Sequence, residues 1–203
     1  MHALASYQEL RDKAVLICRF VYDRELSDSA GGNLAVRADE NRALVTPRYM
    51  GQRKRWRIEP GDLLLVDLNG QVLEGQGECS RELRMHLGVL REFALAGAVI
   101  HAHPKYLMAF AVAGRAMPTV IEHTKKFGTI PVADCGKSGS AELAEAVVTV
   151  LRPRASQLEQ HGLACILPSH GVAVVGRNLD DAFDTLERLE RNAVVLLLGG
   201  AVR

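Results

Sequence analysis

This chain has no CxxC cysteine pair, no excess charge of either sign, and no apolar run long enough to span a bilayer. Its four cysteines, Cys18, Cys79, Cys135 and Cys165, lie far apart beside apolar or small neighbours. They read as free, mostly buried thiols in a reducing compartment. A formal net charge of +1 gives no overall electrostatic footprint for nucleic acid and no self-repulsion that would argue for disorder. The longest apolar run, Ala193 to Leu198, is far too short for a transmembrane helix, so no membrane partner is expected. Residues 1–10 lack a basic segment followed by an apolar core, so no signal peptide is expected and the expected location is cytoplasmic.

With 203 residues and 48% hydrophobic content the chain can bury a full core, and residues 1–203 read as a single domain. No repeat, linker or low-complexity tract divides it. Leu10, Ala14, Val15, Cys18 and Val21 recur at helical spacing, predicting an opening amphipathic helix that ends near Asp23. A small, flexible loop, Ser27 to Asn33, leads into a hairpin over Leu34–Arg37 and Ala43–Val45. Asn69-Gly70 joins a second strand pair, Asp62 to Asp67 and Gln71 to Leu73. Helices are predicted from about Ser80 to Ala96, from Lys105 to Ala113, from about Ser140 to Leu151 with Ser138 or Ser140 as cap, and from Leu179 to Leu198 ending at Gly199-Gly200. Further strands are expected near Thr119–Ile121 and Thr129–Val132. Helices interleaved with hairpins predict a mixed α/β layer fold on a largely antiparallel sheet.

The residues that carry chemistry are histidines. His101-Ala102-His103 closes the apolar run Ala98-Val99-Ile100, and strand alternation points both imidazoles to one face, a metal half-site. His170, between the apolar runs Leu163–Leu167 and Val172–Val175, can be carried to the same place. Three histidines with one open position are the pattern of a catalytic zinc. The plainer alternative for each is a hydrogen-bonded histidine at the core or rim. Glu82 stands at a helix start leading into the histidine strand, where a carboxylate is also favoured by the helix dipole alone, worth about 0.3–1 kcal/mol. His86 lies beside the apolar stripe Leu83, Leu87, Leu90 and Ala94 and reads as a packed or supporting histidine rather than a ligand.

With Gly32-Asn33, Thr46-Pro47, Ser80-Arg81-Glu82, His101-Ala102-His103 and Ser169-His170-Gly171 in this order over almost its whole length, the chain resembles the class II aldolase/adducin family. The resemblance implies a three-layer αβα sandwich around a mostly antiparallel central sheet. It implies a divalent metal, Zn2+ or else Mn2+, Co2+ or Fe2+, on His101, His103 and His170, with Glu82 as the acid/base carboxylate. Gly32, Asn33, Thr46, Arg48, Ser80 and Arg81 fall at the substrate positions, for a small anionic substrate. It also implies a homotetramer with active sites between subunits.

Departures from the family pattern bear on the reaction. Where the sugar-phosphate aldolases read Thr-Pro-Thr-Gly and Ser-Ser-Glu, this chain has Thr46-Pro47-Arg48-Tyr49 and Ser80-Arg81-Glu82. Two hydroxyl positions are arginines, which favour bidentate pairing with carboxylate or phosphate. Counting from Pro118, Glu122 replaces a tyrosine credited with protonation, and a Glu near this place also resembles the acid/base of the family's methylthioribulose-1-phosphate dehydratases. The aldolases' C-terminal tyrosine has no counterpart in a chain ending at Arg203. The basic run Gln52 to Arg57 reads as a solvated loop, a subunit contact or part of the substrate site, with a nucleic-acid grip through Trp56 disfavoured in a neutral chain.

These features predict a metal-dependent carbon–carbon lyase of the aldolase type, with Glu82 and Glu122 as its catalytic carboxylates. Retro-aldol cleavage proceeds in such enzymes through a metal-stabilised enediolate. The alternative enzyme is a decarboxylase or dehydratase acting on a carboxylate or sugar phosphate. A non-catalytic, adducin-like assembly module is a third reading, disfavoured by the complete His and Glu set. A structural metal lacks an obvious fourth ligand other than Glu82.

Overall fold

The computed structural model describes residues 2–199, with side chains described for residues 7–199. Met1, Gly200 and the end at Arg203 lie outside the described residues, as do the limits of the expected 1–203 domain. In chain order the elements are α1 (His2–Asp23), β1 (Asn33–Arg37), β2 (Arg42–Val45), α2 (Met50–Lys54), β3 (Leu64–Asp67), β4 (Val72–Glu74) and α3 (Leu83–Glu92). There follow β5 (Ala98–Ala102), α4 (Leu107–Ala113), α5 (Ala141–Leu151), β6 (Leu163–Leu167), β7 (Gly171–Gly176) and α6 (Leu179–Leu198). Short 3-10 turns occupy Pro60–Asp62, Glu122–Phe127 and Arg152–Glu159.

The strands form one sheet in the order β4-β3-β2-β1-β5-β7-β6. Every neighbouring pair is antiparallel. Because side chains alternate along a strand, each strand feeds two cores. Leu34, Val36, Leu44, Ile100, Ile166 and Val174 face a layer of α1, α4 and α6. Ala35, Val45, Val99, Cys165, Ala173 and Val175 face α3 and α5. The result is the expected αβα sandwich, now with a sheet that is antiparallel throughout.

Local chemistry sets the helix ends. The Ser140 side chain accepts from the Leu143 amide at 3.1 Å and caps α5, and Asn178 accepts from the Asp181 amide at 2.9 Å and caps α6. Helix α4 starts at Leu107, two residues later than predicted, where the buried Glu190 carboxylate accepts from the Tyr106 and Leu107 amides at 2.7 and 2.8 Å. Helix α3 is likewise shorter than predicted, and the Arg37 guanidinium takes the carbonyls of Leu90 and Ala96 at its end.

The strands expected near Thr119–Ile121 and Thr129–Val132 are only isolated bridges, Met117 to Ile130 and Val132 to Ile166. Pro118 and Pro131 cannot donate to a ladder. Asn192 takes the Val120 amide at 2.8 Å and donates to the Pro118 carbonyl at 2.9 Å, so this stretch is bound by a side chain instead of a strand. Among the described residues no helix is long and apolar enough to cross a membrane.

Candidate metal centre and active-site cavity

Asn33 opens β1 and pairs in register with His101 at the end of β5, and His101 pairs on its other side with Ala173 of β7. All three residues sit on the sheet face toward α3. His103 follows one step beyond the strand, so alternation returns it to the face of His101. The turn before β7 passes through Ser169 in the left-handed region (φ 54°) and brings His170 over the pair. The His101 ring centroid lies 5.0 Å from that of His103 and 4.6 Å from that of His170.

Glycines make room for these rings. A Cβ on Gly31 would lie 2.3 Å from His103 Cε1, and one on Gly171 would lie 2.5 Å from the Ala102 carbonyl oxygen and 2.7 Å from His103 Cδ2. Gly32 has φ +89°, and a Cβ there would meet Trp56 Cζ2 at 2.4 Å.

The donor set fits a divalent metal. His101 Nδ1 lies 3.1 Å from the Val172 carbonyl, which can only accept, so Nδ1 carries the proton and Nε2 presents a lone pair. His103 Nε2 faces His101 Nε2 at 3.2 Å. Two nitrogens on a tetrahedral zinc, each about 2.0–2.1 Å from the ion, stand about 3.3 Å apart. One ring nitrogen from each of the three histidines falls within 4.8 Å of the others. Burial lowers the pKa of all three, and the His103 ring is partly restored by Asp28, whose Oδ1 lies 3.6 Å from Nδ1. Neutral imidazoles are the form that ligates.

Glu82, 3% exposed, stands at the start of α3 with Oε1 3.6 Å from His170 Nε2. The Ser138 hydroxyl donates to Oε1, and the Gly139 amide donates to Oε2 at 3.1 Å. The carboxylate is thereby held at the rim of the histidine group. Around both lies a cavity of about 180 Å³, which suits a small substrate.

Of the residues the sequence nominated, Gly32, Asn33, Arg48, Ser80, Arg81, Glu82, His101, His103 and His170 line this cavity. Thr46 does not. It is fully buried behind the wall, where its hydroxyl accepts from the Leu34 amide at 3.1 Å and donates to the Leu34 carbonyl at 3.3 Å, so its substrate-binding assignment is corrected to a brace between β1 and β2. Glu122 is exposed on the Glu122–Phe127 turn and is not brought to the cavity of its own chain.

Arg48 reaches the cavity but is paired with Glu78 at 2.6 Å and lies over the Tyr49 ring. Arg81 has no ion-pair partner among the described residues. The basic run is partly the helix α2, with Lys54 paired to Asp62 at 2.5 Å. Trp56 is fully buried and donates its Nε1–H to the Asp28 carbonyl at 2.9 Å, which removes it as a stacking face.

Sequence reasoning missed Ser138 as a partner of Glu82. The two are 56 positions apart, and the only local signal at Ser138 is that of a helix cap. It also missed that His86, fully buried, meets Asn33: Nε2 and Oδ1 are 2.5 Å apart. Burial pushes the His86 pKa down to about 3, so the ring is neutral.

An αβα sandwich on an antiparallel sheet with three converging histidines and a carboxylate defines a class, and comparison with known proteins agrees with it. Residues 12–197 match the family described as class II aldolase and adducin N-terminal domain, and the chain belongs to that family. It is 30% identical over 185 residues to an L-fuculose phosphate aldolase of Methanococcus maripaludis, covering 88% of this chain and 91% of the relative. It is 31% identical over 189 residues to a 3-oxo-tetronate 4-phosphate decarboxylase of Haemophilus influenzae, covering 90% and 84%. Among solved structures, an L-fuculose 1-phosphate aldolase superposes with a TM-score of 0.81 at 25% identity, over 96% of this chain and 87% of that one. Aldolases and decarboxylases thus stand at similar distance.

Proposed function

We propose that this protein is a divalent-metal-dependent carbon–carbon lyase that cleaves a small anionic, sugar-like substrate by a retro-aldol reaction. The observation that carries this reading is the placement of Glu82. A carboxylate held by Ser138 and Gly139 shares a small cavity with three neutral imidazoles, one of them 3.6 Å away. His101, His103 and His170 would hold the ion, zinc by preference for three nitrogens and an open position. When bound, the ion supplies Lewis acidity toward substrate oxygens. Glu82 takes the proton from the substrate hydroxyl and returns it to carbon, and its two hydrogen bonds keep Oε1 and Oε2 in place for both transfers. Asn33, Ser80, Arg48 and Arg81 orient the anionic end.

A second reading, decarboxylation of a carboxylated sugar phosphate, is favoured by Arg81. Arg81 lines the cavity, has no ion-pair partner among the described residues, and its charge acts on the His170 ring, so a substrate carboxylate could pair with it there. The similar identity to a relative named as a decarboxylase supports it.

We also infer assembly as a homotetramer in which the exposed Glu122 serves the cavity of a neighbouring subunit. Full activity of a monomer in light scattering at assay concentration would remove that role. Cytoplasmic placement is supported by Cys18 and Cys165, both buried free thiols.

The deciding experiment is proton exchange from dihydroxyacetone phosphate in heavy water, followed by NMR, with zinc-loaded and chelated protein. Metal-dependent exchange is expected of the aldolase. Absence of exchange from zinc-bearing protein, together with carbon dioxide release from a 3-oxo carboxylate, would replace it with the decarboxylase. Failure of the purified protein to bind any divalent ion would restore the assembly-module reading.

A further inference from the structure

We propose that His86 is a positioning residue whose Nε2–H fixes the Asn33 amide with its NH2 group toward the cavity and its oxygen away from it. The inference deepens the proposed function and rests on Asn33 facing the anionic substrate.

One helical turn delivers both groups of the site. Glu82 and His86 are four residues apart, the His86 amide donates to the Glu82 carbonyl at 3.0 Å, and the two side chains share one face at the start of α3. Beneath them β1 begins with Asn33, in register with the ligand-bearing His101. His86 Nε2 and Asn33 Oδ1 meet at 2.5 Å in a buried contact. The other ring nitrogen, His86 Nδ1, is buried with no hydrogen-bond partner.

A neutral imidazole has one N–H, so two arrangements are possible. In the first, Nε2–H donates to Oδ1 and the unpartnered Nδ1 is a bare lone pair. In the second, the amide is turned over, its NH2 donates to Nε2, and the proton is left on Nδ1 with nothing to receive it. An orphaned buried N–H is rarer and costlier than an unfilled acceptor, so the first arrangement wins.

The consequence reaches the substrate. Asn33 Nδ2 has no acceptor among the described residues, and Asn33 lines the cavity. With its oxygen engaged by His86, the amide can only donate there. It favours phosphate or carboxylate oxygens and gives no acceptor to a neutral hydroxyl or ammonium group. A free asparagine would do either.

The test reads the tautomer directly. In zinc-loaded protein with 15N-labelled histidine, long-range 1H–15N correlation at neutral pH is expected to show His86 protonated at Nε2 and bare at Nδ1. A proton on Nδ1 with a bare Nε2 overturns the proposal, whatever the reaction is. Two variants supply a second arm, with inorganic phosphate as probe and its dissociation constant read from the Asn33 side-chain amide signals. His86→Gln keeps an N–H donor near the Nε2 position, and His86→Leu removes it. Loss of the donor is expected to weaken phosphate by about tenfold, and the glutamine variant is expected to recover all but about threefold.

Zinc stoichiometry and unfolding midpoint, measured on both variants, separate positioning from collapse of the fold. Equal weakening in both variants at unchanged midpoint overturns the role of the N–H. Should the leucine variant not fold, the wild-type tautomer still decides. Wild-type Asn33 signals that do not respond to phosphate would instead refute the anion site, while the tautomer result stands by itself.

Discussion

Replacing Gly31 with alanine should weaken divalent-metal binding at the three histidines and cost little of the fold. The added Cβ would lie 2.3 Å from His103 Cε1 and 3.1 Å from both ring nitrogens. Ordinary carbon contact is about 3.5 Å, so ring or loop must retreat by about 1 Å. The loop has little freedom to do so. Asp28 Oδ1 accepts from the Ala30 and Gly31 amides at 2.8 and 3.2 Å, Ser27 Oγ donates to the Gly31 carbonyl at 3.2 Å, and Trp56 fastens the Asp28 carbonyl. The movement therefore falls mainly on His103. A metal site tolerates ligand displacements of only about 0.2 Å, so zinc affinity should drop by roughly 10- to 100-fold, as when a ligand loses its support.

Competition against chelators of graded affinity measures the loss, and thermal melts of the metal-free protein should move by no more than about 1 kcal/mol of stability. Gly61→Ala is the control, because nothing lies within 4 Å of a Cβ at that position. Unchanged zinc affinity in the Gly31 variant would refute the reasoning. So would an equal loss in the Gly61 variant.

The other predictions concern the proton, the anion and a buried acid. Glu82→Gln keeps the shape of the side chain but cannot accept a proton, so kcat should fall by about 10²–10⁴-fold with zinc content unchanged; near-normal turnover would remove Glu82 from the chemistry. Arg81→Ser should raise KM for an anionic substrate by roughly three- to tenfold with kcat little altered, the modest size reflecting an exposed guanidinium; an unchanged KM would make Arg81 a bystander. Burial raises the Glu190 carboxyl above the ordinary glutamate range, against the lowering pull of the Tyr106 and Leu107 amides. A raised folded value means the stabilising contribution is present below the unfolded pKa and lost as pH rises through the folded one. The melting-temperature difference between wild type and Glu190→Gln should thus shift against wild type as pH climbs from about 4 to 8, and a flat difference would refute it.

Much of this architecture is legible in residue order. Period-two and period-3.6 patterns give the hairpins and the helices, because each face must be apolar to bury against the next layer. The histidine pair announces itself, since two residues apart on a strand means one face. Order also gives the set of motifs that marks the family. Where it misleads is informative: Val120 and Ile121 look like strand, yet Pro118, Pro131 and a distant asparagine bind the segment otherwise. Trp56 in a basic run looks available for contact but is wholly buried.

Only the tertiary structure could decide who serves whom in the cavity. Thr46 and Asn33 are both polar residues at strand ends in family motifs, and nothing local distinguishes them. One spends its hydroxyl on Leu34 behind the wall, whereas the other faces the histidines. Ser138 and Ser140 are equal candidates for a helix cap until the fold gives Ser140 to Leu143 and Ser138 to Glu82. His86 is a buried imidazole in any reading, and only its meeting with Asn33 gives it a task. Sequence by itself determined the layers, the family and the histidine ligand candidates, because periodicity and short motifs are local properties. The partners of Glu82 and His86 were decided by contacts across more than 50 positions, which no local pattern encodes.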